Sequence, residues 1–562
     1  MRWRALFFAL WLSACPRSTR EHPEAEPAFT YEPYVFGRAG GPKLTWDFGD
    51  GSPKQTGDKV EHLYPGVGHF TAVGYDQQFL AERYSLDVLP RPVSRAVPPN
   101  ARYAVFCPVL SKDFAAVVDF LEQVGSSNFA ASLLEESVLP SWAIELSSGA
   151  PAFLDSARGI GIFGLDGLEA QIAVMAVADE RAAEAALSQR LIERAFAAED
   201  VEGGKYFHNG PVRLFTFGHR GYLYLIAPDP DAEPQDDKSL AKIAAQIRGA
   251  SPEGLFAAKG FNAARDEVAQ GDLWLWSSDV SPNALVTTAL LSLDVKPDGA
   301  TLDGRVSGRK ALDEGPGASI FSGAPGGAVA GLKLSLPAQE LVRLLSFRPT
   351  PSLPSPKETA AQRGVDLLSL SKSFTGDLGV LAWFDAEAFL RNLAAGNGKP
   401  DPKGVVHLML PVTETTQVAA ALQKWFGRAG AVAPASGASV WRENESEAVL
   451  TAALTKKLLS VRLGDLGSGR SDVDLAAQIQ RRLPGAFSPG HSSAFVDLVQ
   501  LRRELEEPRV ISGVDPQRVV MAQGFSSAFL NRIAVDFAAL DFEPKGAGGT
   551  LKGMVTLHPR SK

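Results

Sequence analysis

The spacing of apolar positions changes along this chain, and each spacing predicts an element. From Trp46 to Phe48 two aromatics alternate with Asp47, the period of a strand with one face turned inward. Val212 to Phe217 and Tyr222 to Ile226 also alternate, on either side of Gly218-His219-Arg220-Gly221. That pattern predicts a β-hairpin of half-buried antiparallel strands. Ile172 to Leu187 (IAVMAVADERAAEAAL) reads as a strand and then a helix with alanines on one face. His407 to Leu422 (HLMLPVTETTQVAAAL) reads the same way.

Such pairs recur in register. Ala104-Val105, Ser111, Val118 and Leu121 match Ala328-Val329, Ser335, Val342 and Leu345 at a constant offset. The hairpin has a counterpart in Ala448 to Leu454 and Leu458 to Leu463. The helices that follow share Ala244-Ala245-Gln246-Ile247 and Ala476-Ala477-Gln478-Ile479, and Gly299 to Val306 mirrors Gly549 to Val555. The spacing predicts a multidomain chain ending in two tandem copies of an α+β module with antiparallel sheets, 101–312 and 328–562. A glycine-rich linker, 313–327, joins them. The proline-rich run Arg348 to Lys357 reads as a surface loop in the second copy.

Residues 28–90 differ, with strand-like pieces between Gly, Asp and Pro turns. Trp46-Asp47-Phe48-Gly49-Asp50-Gly51-Ser52 precedes His62-Leu63-Tyr64, and Gly68-His69-Phe70-Thr71-Ala72-Val73 follows. This stretch resembles the PKD domain, the immunoglobulin-like module of polycystic kidney disease proteins, with Ala72 where that family usually has Val. The resemblance implies an all-β sandwich with structural roles for Trp46, Asp47, Phe48, Gly49, Asp50, Gly51, His62, Tyr64, Gly68 and Phe70. The residues themselves predict Tyr64, Phe70 and Val73 in the core, with Asp50 bonding backbone in a glycine turn. Prolines at 90, 92, 98 and 99 bracket 91–100, which reads as a semi-rigid linker.

At the start, Met1-Arg2-Trp3-Arg4 is basic and Ala5 to Leu12 is apolar, well short of the roughly 18 residues of a membrane helix. Leu12-Ser13-Ala14-Cys15 then resembles a bacterial lipoprotein lipobox. The resemblance implies that 1–14 is a signal peptide, that Cys15 is lipidated, and that the lipid anchors an exported protein. In the lipoproteins it resembles, Asp after the cysteine retains many in the inner membrane; with Pro16 there instead, the resemblance implies the outer membrane. Residues 15–27 read as a flexible tether.

The 562 residues carry a formal charge of −8, so no basic surplus exists to neutralise nucleic-acid phosphates. The second cysteine, Cys107, lies in an apolar stretch and reads as a buried hydrophobe. The eight histidines form no zinc spacing, and His208 and His219 read as turn residues. Asp229 to Asp237 begins like a calcium loop but has Pro234 where glycine is needed. Gly490-His491-Ser492-Ser493-Ala494 is one residue from a nucleophile elbow without the preceding strand, and Ser369-Leu370-Ser371-Lys372 lacks a companion K-T-G. Trp274 and Trp276 share one strand face, which reads as core packing or as a ligand-contact stripe. No catalytic residue, metal or cofactor is assigned. The expected role is binding or scaffolding in the cell envelope, with the membrane and an envelope protein or polysaccharide as partners. The alternatives are a protease- or glycanase-like surface hydrolase acting through Ser492 or a carboxylate pair, and a periplasmic assembly or chaperone factor.

Overall fold

The computed structural model describes residues 19–558 apart from 23–25, 78, 125–151, 167, 169, 211, 229–236, 279–285, 309–319, 322–325, 337–354, 396–403, 429, 433–436, 446–447 and 465–474. Cys15, most of the tether and the acidic run 229–236 lie outside the described residues. The protein is multidomain and mostly β, with large antiparallel sheets and some helices. It divides into two compact units, Met1–Phe114 with Leu133–Asn262 and Ala115–Ser132 with Ala263–Lys562.

The first unit opens with eight short strands: β1 (Arg20–His22), β2 (Ala28–Phe29), β3 (Pro33–Gly37), β4 (Leu44–Asp47), β5 (Gln55–Gly57), β6 (Lys59–Leu63), β7 (Gly68–Asp76) and β8 (Phe79–Leu89). One sheet runs β1-β8-β7-β4-β5 with β2 also on β8, and β3 pairs with β6 in a second. Phe36, Trp46, Phe48, Tyr64, Ala72 and Leu86 fill the core between them. The pleat decides the one mismatch with expectation. Ala72 points inward and is buried, whereas its neighbour Val73 is half-buried on the other face.

Residues 91–100 are not an extended linker. Val93–Ala96 forms a short helix, α1, and Val93, Ala96 and Val97 are buried. Arg91 anchors it. Its Nε donates to Glu32 Oε1 at 3.0 Å, and its NH2 donates to the carbonyls of Arg95 (2.5 Å) and Pro252 (3.1 Å). Tyr222 Oη donates to the Arg91 carbonyl and Tyr224 Oη to that of Ala96. Arg95 pairs with Glu32 and lies over the rings of Phe29 and Phe256. At Gly254, φ +56°, a Cβ would sit 2.3 Å from the Arg95 carbonyl oxygen, so glycine is required there.

The rest of the first unit is one sheet of β9 (Ala101–Cys107), β10 (Ile160–Leu165), β11 (Ala170–Ala176), β12 (Ala197–Val201), β13 (Gly204–Asn209), β14 (Val212–His219) and β15 (Tyr222–Pro228). Its order is β9-β10-β11-β15-β14-β13-β12. The β14–β15 hairpin turns on Arg220 and Gly221, φ +53° and +76°, the left-handed pair of a type I′ turn. Helix α2 (Glu180–Glu193), capped by the Asp179 side chain on Ala182 N–H, packs Ala183, Leu187 and Leu191 into the core. Helix α3 (Asp237–Gly249) follows β15.

The second unit holds β16 (Leu273–Ser278), β17 (Val286–Lys296), β18 (Gly299–Gly308), β19 (Ala330–Ser335), β20 (Asp377–Phe384), β21 (Gly404–Pro411), β22 (Ala431–Val432), β23 (Ser439–Glu445), β24 (Ala448–Leu454), β25 (Leu458–Leu463), β26 (Ser492–Asp497), β27 (Val535–Lys545) and β28 (Gly548–Leu557). Strands β19 to β25 run β19-β20-β21-β25-β24-β23-β22, the order of β9 to β15 strand for strand. Meanders β16-β17-β18 and β26-β27-β28 meet through β18 and β28. There Leu302 faces Gly553, Asp303 faces Lys552 and Gly304 faces Leu551. Leu302-Asp303-Gly304 aligns with Leu551-Lys552-Gly553, so Asp303 meets its own counterpart and the residues on either side of it meet each other's, as in a two-fold contact.

Besides Ala115–Val124, Phe261–Glu267 and Pro356–Gln362, the helices of the second unit include α4 (Leu367–Ser371), α5 (Ala386–Ala394), α6 (Thr415–Phe426), α7 (Leu475–Arg482), α8 (Leu498–Glu506) and α9 (Pro516–Leu530). Helices α6 and α7 stand where α2 and α3 stand in the strand order. Helices α5, α8 and α9 have no such equivalent among the described residues, where only four residues, 166–169, connect β10 to β11 and seven, 279–285, connect β16 to β17. Among the described residues no helix is long and apolar enough to cross a membrane.

Candidate functional site: an apolar cavity in the second unit

Strands β21, β25 and β24 form a ladder in which Leu408 faces Val461 and Val461 faces Ala452. One step along, Leu410 faces Leu459. The pleat turns these side chains to one face, and α4 and α6 cover it. Helix α6 presents Val418, Ala421, Leu422, Trp425 and Phe426, a continuous helical stripe. It ends at Gly427, φ +64°, a left-handed C-cap. Between sheet and helices lies a cavity of about 310 Å³, completed by Val365, Leu367, Leu370 and Phe374.

Ser371 and Trp425 are the lining residues whose side chains carry a polar atom, and the Ser371 hydroxyl donates to the Leu368 carbonyl at 2.7 Å. Hydrocarbon therefore meets an almost wholly apolar wall. The volume is about twice the roughly 150 Å³ of an engineered dry cavity that takes benzene. In the first unit the corresponding face is packed: Ala173, Met175, Leu223, Leu225 and Phe207 meet Ala183, Leu187 and Leu191 of α2. The alanine pattern of the two helices is legible in the sequence. The heavier stripe ending in Trp425-Phe426 was the available signal for the cavity.

A polar cluster on the other face of the second unit competes for attention. Lys333 is fully buried and its Nζ donates to the Ser488 carbonyl at 2.7 Å. Burial holds its ammonium below the usual range, against the pull of Asp377 and Asp541. Ser335 donates to Asp377 (2.7 Å), Ser493 donates to Asp541 (2.6 Å), and His491 Nδ1 lies 2.9 Å from the other Asp541 oxygen. Ser492 Oγ accepts from the Ser335 N–H at 2.9 Å. Strand β26 begins at Ser492 and does not precede it. The cluster thus joins four core strands by hydrogen bonds and places neither serine hydroxyl on a histidine.

The other sequence candidates are structural. Asp50 accepts from Ser52 N–H and Oγ and lies 2.7 Å from His62 Nε2, while the His62 ring stacks on Phe48. Burial pushes the Asp50 carboxyl up, but the Ser52 and His62 bonds outweigh it and hold it low. Gly49 and Gly51 take φ +77° and +81° in that turn. Asp47 bonds Gly49 N–H and pairs with Lys54, and Gly68 opens β7 just before half-buried Phe70. Trp274 and Trp276 are buried. Ser369 donates to Asp366. Among the described residues no cluster of acidic, histidine or cysteine side chains could hold a metal.

His219 is half-buried and not a free turn residue. Burial first, then Arg220, Arg91 and Arg248, push its pKa down to about 4. Burial and Arg462 do the same to His407, down to about 4. The unfolded chain takes up these protons near pH about 6.5, the folded chain at about 4. Stability is therefore full above pH about 6.5 and falls as pH drops from there toward about 4. Thermal midpoints across that range should show the fall, and His219→Gln with His407→Gln should flatten it.

No known protein family matches the chain, and no curated protein does. Among solved structures, crystal forms IV and III of TP0453 align with 8% identity and a TM-score of 0.24. They span 38% and 40% of this chain and 80% and 82% of theirs. A TM-score at that level assigns neither fold nor function.

Proposed function

We propose that this chain is a membrane-anchored extracytoplasmic lipoprotein whose second unit binds one apolar chain, such as the acyl chain of a lipid. The cavity over β21, β25 and β24 carries the reading, because the corresponding face of the first unit is filled. The lipobox at Cys15 supports export and lipidation, with the outer membrane as the site. The WDFGDGS turn, the His62–Asp50 pair and the two-sheet core support a PKD-like domain. The repeated strand order and the two-fold pairing of β18 with β28 support tandem copies of one α+β module. The arrangement supports a binding or carrier role in the envelope, with no catalytic residue assigned.

The test uses the full chain with Cys15→Ser and a polyene fatty acid whose fluorescence rises on burial. The wild-type cavity should bind one equivalent, displaced by palmitate. Ala421→Phe fills the cavity and should weaken binding by about tenfold or more, as the enclosed apolar area is lost. Its thermal midpoint should stay level or rise. Equal binding by this variant would remove the cavity from the account.

A further inference from the structure

Helix α9 carries four large apolar side chains that stand exposed among the described residues: Val520 is 65% exposed, Met521 73%, Phe525 65% and Phe529 61%. Its opposite face, Val519, Ala522 and Leu530, is buried against α5 and α8. Gln523 donates to the carbonyls of Leu505 and Glu507, which fixes the rotation of the helix. The apolar stripe is therefore held outward and cannot roll into the core. The N-cap Asp515 is the one acidic residue of 515–532, and the exposed cations Arg518 and Arg532 stand at the two ends of the stripe. Two cations against one carboxylate leave this helix net positive on a chain of net charge −8.

The position of α9 adds a second observation. Helices α5, α8 and α9 occupy two strand connections that are short in the first half, and together they form a separate apolar cluster. The second half alone thus carries this three-helix addition, and its outermost helix presents the stripe.

We propose that the outward face of α9 docks on the surface of a lipid bilayer with anionic headgroups. Met521, Phe525 and Phe529 would enter the acyl boundary, and Arg518 and Arg532 would meet lipid phosphates. Cations framing an apolar helix face match that interface. The proposal depends neither on the cavity nor on acylation of Cys15.

The test places a polarity-sensitive fluorophore on Ala528→Cys, within the stripe, in the full chain with Cys15→Ser and Cys107→Ala. A second label on Lys545→Cys, at a strand turn, is the control. Vesicles of phosphatidylcholine alone are compared with vesicles that also contain phosphatidylglycerol. The label at 528 should brighten and shift to the blue on the anionic vesicles, and the label at 545 should not. Phe525→Asp with Phe529→Asp should weaken this partitioning by about a hundredfold, with an unchanged thermal midpoint. Arg518→Ala with Arg532→Ala should remove the preference for anionic vesicles. No response at 528, an equal response in the aspartate variant, or an equal response on neutral vesicles overturns the proposal. A shift that grows with protein concentration without vesicles also overturns it, and assigns the face to a second copy of the chain.

Discussion

Lys333→Met is expected to destabilise the second unit by about 1.5–3 kcal/mol, the cost of losing a buried hydrogen bond from a charged donor. The methionine fills similar space, so the loss is polar and not a cavity. Asp377 and Asp541 are 0% and 3% exposed and would keep their carboxyls without the nearby ammonium, which bonds the Ser488 carbonyl and neither carboxylate. Asp377 Oδ2 already has no hydrogen-bond partner among the described residues. The Ser488 carbonyl would lose its donor as well. Urea unfolding should show the transition of the second unit moved to much lower denaturant. Adding Asp377→Asn and Asp541→Asn should recover part of the loss, because neutral amides need no counter-charge. A single-variant midpoint within about 0.5 kcal/mol of wild type would mean that the cluster contributes little.

Arg91→Ala carries the second large effect, about 3 kcal/mol or more in the first unit. Three hydrogen bonds leave with the guanidinium, and Glu32 keeps Arg95 alone. The side chain is 3% exposed, so water does not replace them in the folded state. The helix at Val93–Ala96 should loosen, and trypsin should then cut at Arg95, which the wild-type fold shields. Cutting at equal rates in both proteins would show that the segment is held by its apolar residues alone.

Local pattern was legible wherever the partner strand is a sequence neighbour. The hairpin at Val212–His219 and Tyr222–Pro228 formed as read, and Ile172–Ala176 leads into α2. The segments that resemble one another in sequence keep the same places in the strand order. Nonlocal choices were not legible. The prolines around 91–100 suggested extension, but the segment is buried by Tyr222, Tyr224 and Glu32, far away in sequence. The Ala72–Val73 reversal came from a pleat that composition does not set. The cavity could not be read from periodicity, which says which face of α6 is apolar but not how closely the sheet approaches it. The stripe on α9 escaped because both faces of that helix are apolar, which flattens any period-based signal.

Organic extraction and mass spectrometry of the protein purified from membranes, without delipidation, tests the central claim most directly. Any lipid joined covalently to Cys15 would stay on the chain, so the extract would report lipid held without a covalent bond. The account predicts about one acyl-bearing molecule per chain and its loss in Ala421→Phe. An extract free of such molecules, or one unchanged in the filled variant, would contradict it.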